Sequence, residues 1–176
     1  VNVENNRGWT PLHLAALNGN SVAVRVLIDA KASLDIQNCD GLTPVHLAAQ
    51  RGHRDTVQVL VDAKVSLDVK DSNGWTPMHW AAANRHSGSV QVLLTSGASI
   101  TICNTVGQTP LQLAQQYNKH TDTVNLLRAA QMARSFDVAR HRTKTKSDDK
   151  IPRFCPQLGS LAWSFVLVGA LVLFSR

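Results

Sequence analysis

The chain has 176 residues, of which 44% are hydrophobic and 17% are charged, a composition typical of a folded domain with a tail. Its three cysteines are too few for a disulfide-stapled secreted scaffold, which favours a reducing compartment. The formal net charge is +6, but residues 1–127 hold nine Lys/Arg against nine Asp/Glu, so the whole excess lies in residues 128–176. The basic charge therefore belongs to a tail, and a folded surface that binds nucleic acid is disfavoured.

One short motif recurs four times at a spacing of 33 residues. Its copies are Thr10-Pro11-Leu12-His13, Thr43-Pro44-Val45-His46, Thr76-Pro77-Met78-His79 and Thr109-Pro110-Leu111-Gln112. In each copy the Thr hydroxyl can cap a free backbone N–H at a helix start, and the Pro has no N–H to leave unsatisfied. Four short helices are therefore predicted to begin at these motifs.

Alanine-rich segments follow the motifs, and a second apolar run comes later in each unit. Gly19 and Gly52 are predicted to end the first two helices in the left-handed conformation that favours glycine. Arg85 stands at the same place in the third unit, where a residue with a Cβ predicts local irregularity. Each unit is therefore predicted to be a helix, a turn, a second helix and an extended link.

This pattern resembles the ankyrin repeat family, whose units read Gly-x-Thr-Pro-Leu-His-x-Ala-Ala with a period of about 33 residues. The resemblance covers residues 1–136, with repeats at about 8–40, 41–73, 74–106 and 107–136. It implies an all-α solenoid of helix-turn-helix units with β-turn or hairpin links, in which each repeat is stable only against its neighbours. Residues 1–8 align with residues 34–41, so we expect the chain to start inside a repeat, with further repeats upstream.

Two departures from the family pattern indicate where the stack is weakened or ends. Lys31 and Lys64 replace the glycine that usually follows the second helix and that survives as Gly97. Each is expected to cost on the order of 1 kcal/mol if the left-handed conformation is kept. Polar Thr123 and Gln131 replace apolar or small residues in the last repeat, which predicts a terminal cap facing solvent.

The sequence indicates no metal site, cofactor or catalytic function. His13, His46 and His79 hold equivalent positions, but stacked repeats would place them roughly 10 Å apart, too far to share a zinc ion. We therefore expect structural hydrogen bonds at the helix starts. Glycine-rich phosphate loops, nucleophile elbows and zinc-protease motifs are absent from the sequence, so neither enzymatic activity nor a small-molecule substrate is expected.

The family resemblance implies a protein partner bound on one concave surface, formed by the turn tips and the ends of the first helices. The residues implied there are Arg7, Trp9, Leu17, Asn18, Asp40, Leu42, Gln50, Arg51, Asn73, Trp75, Ala83, Asn84, Gln108 and Tyr117. Trp9 and Trp75 hold equivalent tips and either contact the partner or fold onto their own repeats. Trp80 replaces a leucine inside the third helix and is predicted to lie in the core.

The tail has the layout of a membrane anchor. Residues 137–157 form a basic linker, predicted to be flexible, and residues 158–174 follow without a charge. As a helix this run spans roughly 25 Å, slightly less than the roughly 30 Å hydrocarbon core of a bilayer. Basic flanks favour the cytoplasmic side, and a short span favours the endoplasmic reticulum or the mitochondrial outer membrane. Cys155 beside this run is a candidate lipidation site.

The sequence therefore predicts a protein-interaction scaffold with its repeats in the cytosol, held to a membrane by a tail anchor. Three alternatives stay open. In the first, the chain is the regulatory or anchoring fragment of a longer enzyme or channel. In the second, it is a soluble or nuclear regulator whose basic segment is an import signal. In the third, residues 158–174 belong to a cleaved glycolipid-anchor signal and the repeats lie on the cell surface.

Overall fold

The computed structural model describes residues 1–117 and 122–145, with side chains up to residue 135. The chain divides into two units, Val1–Val138 and Ala139–Arg176. The first helices of the repeats are α1 (Pro11–Leu17), α3 (Pro44–Arg51), α5 (Pro77–Ala83) and α7 (Pro110–Tyr117). The second helices are α2 (Ser21–Asp29), α4 (Arg54–Asp62), α6 (Ser87–Thr95) and α8 (Asp122–Thr145).

The helices of the first unit form two layers with the core between them. The inner helices α1, α3, α5 and α7 pack side by side in chain order, and the outer helices α2, α4 and α6 do the same. Buried alanines such as Ala48 and Ala81 allow the close approach, and Leu60, Leu93 and Leu127 fill the space between the layers. Each repeat therefore buries its apolar surface mainly against its neighbours, as expected of a solenoid.

The inner helices begin where the Thr-Pro motifs predict, and the turns after them are alike in all three described cases. Thr10, Thr43 and Thr76 are N-caps in extended conformation. Gly52 ends α3 at φ 75°, and Arg85 adopts nearly the same conformation at φ 67°. The predicted irregularity after α5 is therefore wrong, because the N–H of His86 still bonds to the carbonyl of Ala81 at 3.0 Å and keeps the turn closed.

The links between repeats are tight turns, and the described residues contain no β-strand, so the predicted hairpin alternative does not form there. Each link donates one backbone hydrogen bond to the preceding one. The N–H of Cys39 bonds to the carbonyl of Arg7 at 3.0 Å, and the N–H of Ser72 to that of Asp40 at 3.1 Å. One such bond per link joins neighbouring turns without building the ladder of a sheet.

The last helix is longer than the other described helices. α8 continues to Thr145 and so extends into the segment predicted as a linker, residues 137–157. The rest of that segment, Cys155 and the predicted membrane span 158–174 lie outside the described residues. Among the helices that the structure describes, none has the length and apolarity needed to cross a bilayer.

The turns after the outer helices hold the two lysines in left-handed conformation, with φ 63° at Lys31 and 66° at Lys64. Gly97 occupies the same place at φ 87°. A residue with a Cβ loses roughly 1–2 kcal/mol in this conformation, whereas glycine loses about 0.5–1 kcal/mol of chain entropy. The lysines therefore weaken the stack slightly.

We predict that Lys64→Gly raises the free energy of unfolding by about 0.5–1 kcal/mol, because the strain removed exceeds the entropy lost. Chemical denaturation of the purified chain measures this change. Gly97→Lys is the matched control and should lower the stability by a similar amount. Equal stabilities for the wild type and Lys64→Gly would contradict the argument.

Candidate protein-interaction surface

Each turn tip is held by one side chain at the start of its link. The Oδ1 atom of Asn38 accepts the N–H groups of Asp40 and Leu42 at 3.0 and 2.9 Å. Asn5, Asp71 and Asn104 repeat this pair of bonds in the other repeats, at 2.8 to 3.0 Å. The tip backbones are therefore fixed whatever their outward side chains are.

A histidine joins each of the first three inner helices to the next tip. Nδ1 of His46 accepts the backbone N–H of Thr43 at 3.1 Å and its hydroxyl at 2.7 Å, and Nε2–H donates to the carbonyl of Trp75 at 3.1 Å. His13 and His79 bond in the same way to the carbonyls of Leu42 and Gln108. These bonds confirm the predicted structural role of the three histidines.

A second pair of histidines holds the ends of the inner helices. Nε2–H of His53 donates to the carbonyl of Leu17 at 3.0 Å, and that of His86 donates to the carbonyl of Gln50 at 3.0 Å. Gly19 leaves room for the first ring, because a Cβ there would lie 2.5 Å from Nδ1 of His53. The ends of the inner helices are therefore tied to the following repeats.

No group of described side chains could hold a metal ion.

The fourteen residues implied by the family resemblance are called the candidate surface below. None is fully buried. Those with exposed side chains are Arg7, Asn18, Asp40, Arg51, Asn73, Asn84 and Tyr117. Those that are half-buried are Trp9, Leu17, Leu42, Gln50, Trp75, Ala83 and Gln108. The structure therefore leaves every one of these side chains reachable from solvent.

The two tip tryptophans pack onto their own repeats while remaining partly exposed. The ring centroid of Trp9 lies 6.0 Å from that of His13, and Trp75 lies 6.3 Å from His79. Trp75 also packs on Trp80, with ring centroids 4.6 Å apart and planes tilted by 48°. Packing within the repeat is thus observed, and contact of the exposed faces with a partner stays a prediction.

Trp80 is half-buried, so its predicted place in the core is wrong. Leu47 and Leu113 hold the same position in the second and fourth repeats and are 1% exposed, whereas Leu14 in the first repeat is 48% exposed. An indole is larger than a leucine side chain and its N–H needs an acceptor when it leaves water. Here Nε1–H donates to Oδ2 of Asp71 at 2.9 Å, which holds the ring at the edge of the repeat.

The contact between Asp71 and Trp80 is a feature of the site that the sequence reading missed. The available signal was positional, because the equivalent positions in the other links are Asn5, Asn38 and Asn104. Asp71 is the only acidic residue among these four equivalent positions, and it lies in the link that leads into the repeat with Trp80.

The family model described as ankyrin repeats (3 copies) matches residues 1–71, 26–104 and 63–137. The chain therefore belongs to the ankyrin repeat family. Its repeats define a protein-binding module of a generally non-enzymatic kind. No curated protein matches the sequence significantly.

Burial sets the protonation state of the motif histidines. Desolvation lowers the pKa of His46 below its ordinary value of 6.5, and the hydrogen bond to the carbonyl of Trp75 offsets this only in part. Burial lowers the pKa of His13 and His79 in the same way. The native state therefore holds neutral rings, and protonation favours the unfolded chain. The contribution of the neutral histidines to the free energy of unfolding is complete above pH 6.5. It is lost as the pH falls from 6.5 through the pKa that each histidine has in the folded state.

We predict that His46→Gln flattens the loss of stability with acid, because glutamine does not titrate. Gln112 holds the equivalent position in the fourth repeat, where its Oε1 accepts the N–H of Thr109 at 2.8 Å, so the helix start tolerates the change. At neutral pH the variant should be about 1–2 kcal/mol less stable, because the bond to the carbonyl of Trp75 is lost. Denaturation curves between about pH 5 and 7.5 measure both effects. Parallel pH profiles for the two chains would contradict the assignment.

Proposed function

We propose that this chain is a protein-interaction scaffold that binds a protein partner on the candidate surface and is tethered to the cytosolic side of a membrane by residues 158–174. The observation that carries the binding proposal is the partial exposure of Trp9 and Trp75 at equivalent turn tips. Large aromatic side chains on rigid, partly exposed positions are the residues on which binding energy concentrates.

The hydrogen bonds around the tips support this proposal because they preorganise the surface for binding. The Asn and Asp side chains fix each tip, and the histidines fix its position relative to the preceding helix. A partner therefore does not have to order these loops, and the ordering free energy is not subtracted from the affinity.

Polar and charged side chains surround the aromatic positions and suit the rim of an interface. Arg7 and Asp40 are exposed on the first two tips, and Arg51 is exposed at the end of α3. Exposed charges contribute more to the choice of partner and to the rate of association than to affinity. This arrangement supports selection of a partner with a complementary charge pattern.

We predict that replacing Trp9 and Trp75 together with leucine lowers the affinity for the partner at least about tenfold, since aromatic anchors carry 2 kcal/mol or more. Leucine is chosen because Leu42 holds the same position in the second repeat. The measurement is quantitative mass spectrometry of the proteins retained by the immobilised chain.

The control is Arg25→Ala, which removes an exposed side chain from the outer helix α2, away from the candidate surface. It should retain the same proteins as the wild type. Equal retention by the tryptophan variant and the wild type, with both folded, would contradict the proposed surface.

The tether is supported by the uncharged run of residues 158–174 and by the basic residues that precede it. We predict that Leu167→Arg releases the chain from membranes, because a charge at the centre of a span disfavours insertion by about 2.5–3.5 kcal/mol. Alkaline carbonate extraction measures the release, with Leu167→Phe as the apolar control.

Three outcomes would contradict the tether as proposed. Release of the wild-type chain by carbonate would favour a soluble or nuclear regulator. Retention of the Leu167→Arg variant would shift the attachment to Cys155 or to a partner. Protection of an N-terminal tag from protease on intact membranes would favour the glycolipid-anchored alternative.

A further inference from the structure

The third repeat and the link that leads into it differ from the other repeats and links at two positions that contact each other. Asp71 stands in this link where the equivalent link positions have asparagine, and Trp80 stands in the third repeat where the other repeats have leucine. The two side chains are joined by the bond from Nε1–H of Trp80 to Oδ2 of Asp71 at 2.9 Å. The start of the third repeat therefore combines a negative charge with a second indole beside the tip tryptophan, Trp75.

Among the residues that the structure describes, the hydrogen bonds of Asp71 give its charge no cationic partner. Its Oδ1 atom accepts the N–H groups of Asn73 and Trp75 at 2.9 and 2.8 Å, and its Oδ2 atom accepts the indole N–H of Trp80. All three donors are neutral. The adjacent Lys70 directs its Nζ to the carbonyl of Cys103 in the next link, at 2.9 Å.

The two indoles are more exposed to solvent than this carboxylate. Asp71 is 7% exposed, whereas Trp75 and Trp80 are each partly exposed and pack together with ring centroids 4.6 Å apart. The face of an indole attracts cations, and a carboxylate that accepts the indole N–H makes the ring more electron-rich. The field of Asp71 thus adds to the attraction of the Trp75–Trp80 pair for a positive group.

A second carboxylate stands on the neighbouring tip. Asp40 is exposed, and its carbonyl accepts the N–H of Ser72, which directly follows Asp71. An exposed acid on the tip next to an aromatic pair suits a partner whose amine or guanidinium stacks on the rings and lies within the field of the acid. The equivalent tip of the first repeat has the opposite character, because Trp9 there is accompanied by Arg7 and by the neutral Asn5.

We infer that the third repeat takes a lysine or arginine side chain of the protein partner, stacked on the Trp75–Trp80 pair with Asp40 and Asp71 as its countercharges. This inference rests on the proposed function, since it names the chemistry that one part of the candidate surface recognises. It assigns the two tip tryptophans different roles, with Trp75 selecting a basic side chain and Trp9 making no such selection.

The test is selection of peptides from a random phage-displayed library by the full chain in detergent micelles. Peptides selected by the wild type should be enriched in lysine or arginine. Changing that residue to glutamine in a synthetic peptide should lower the affinity about tenfold, as expected for loss of a partly desolvated cation–π contact.

The matched variant is the double substitution Asp71→Asn and Trp80→Leu, which gives these two positions the residues found 33 positions earlier, Asn38 and Leu47. The asparagine keeps both bonds to the tip backbone, and the leucine leaves no indole N–H facing the new amide. Chemical denaturation checks that the variant folds. It should lose about the same tenfold affinity, and the glutamine peptide should bind it and the wild type equally.

The outcomes separate this inference from the proposed function. Selected peptides without lysine or arginine that lose binding to the Trp9 and Trp75 double-leucine variant would leave the scaffold standing and overturn the basic-residue preference. Basic peptides bound equally by the Asp71→Asn, Trp80→Leu variant would place their recognition elsewhere and also overturn the inference. Selection of no peptide by the wild type would overturn both.

Discussion

The hydrogen bond from each motif histidine to the carbonyl of the next tip is the interaction on which the structure depends. It joins a buried ring to the carbonyl of a half-buried residue in the following repeat, at 3.0 to 3.1 Å in all three cases. Because the ring is hidden from water, losing the bond leaves its N–H group unsatisfied rather than merely removing one contact. The same bond sets the position of one repeat against the next and the position of each tip.

Since backbone and link side chains hold the tips, the outward residues are free to differ. Equivalent positions carry Trp9, Leu42, Trp75 and Gln108 on closely similar backbones. The residues that build the fold and those of the candidate surface are therefore largely separate sets. This separation explains why membership of the family indicates a role in protein binding but does not identify the partner.

The sequence predicted the repeats and helix starts because both rest on local chemistry repeated at a fixed period, and the structural role of the histidines was predicted with them. It misjudged Arg85, because the closed turn outweighs the preference of one residue, and Trp80, because an apolar position was assumed to be buried. The pairing of Asp71 with Trp80 was missed because it joins different elements, a link and a helix. The anchoring of the tail remains a prediction.

Equivalent positions in different repeats can be compared directly, and the positions of Asp71 and Trp80 differ from their equivalents. Asn38 and Leu47, at the equivalent positions 33 residues earlier, fix a tip and fill the same helix position without placing a charge in a nearly buried site. The carboxylate of Asp71 is nearly buried but accepts three hydrogen bonds, whereas the Nδ2 atom of Asn38 is buried without a hydrogen-bond partner among the described residues, so each arrangement has its own cost in stability. The pair of Asp71 and Trp80 changes what the surface offers to a partner, because it adds an aromatic face and a negative charge at one point of a scaffold that does not need either to fold.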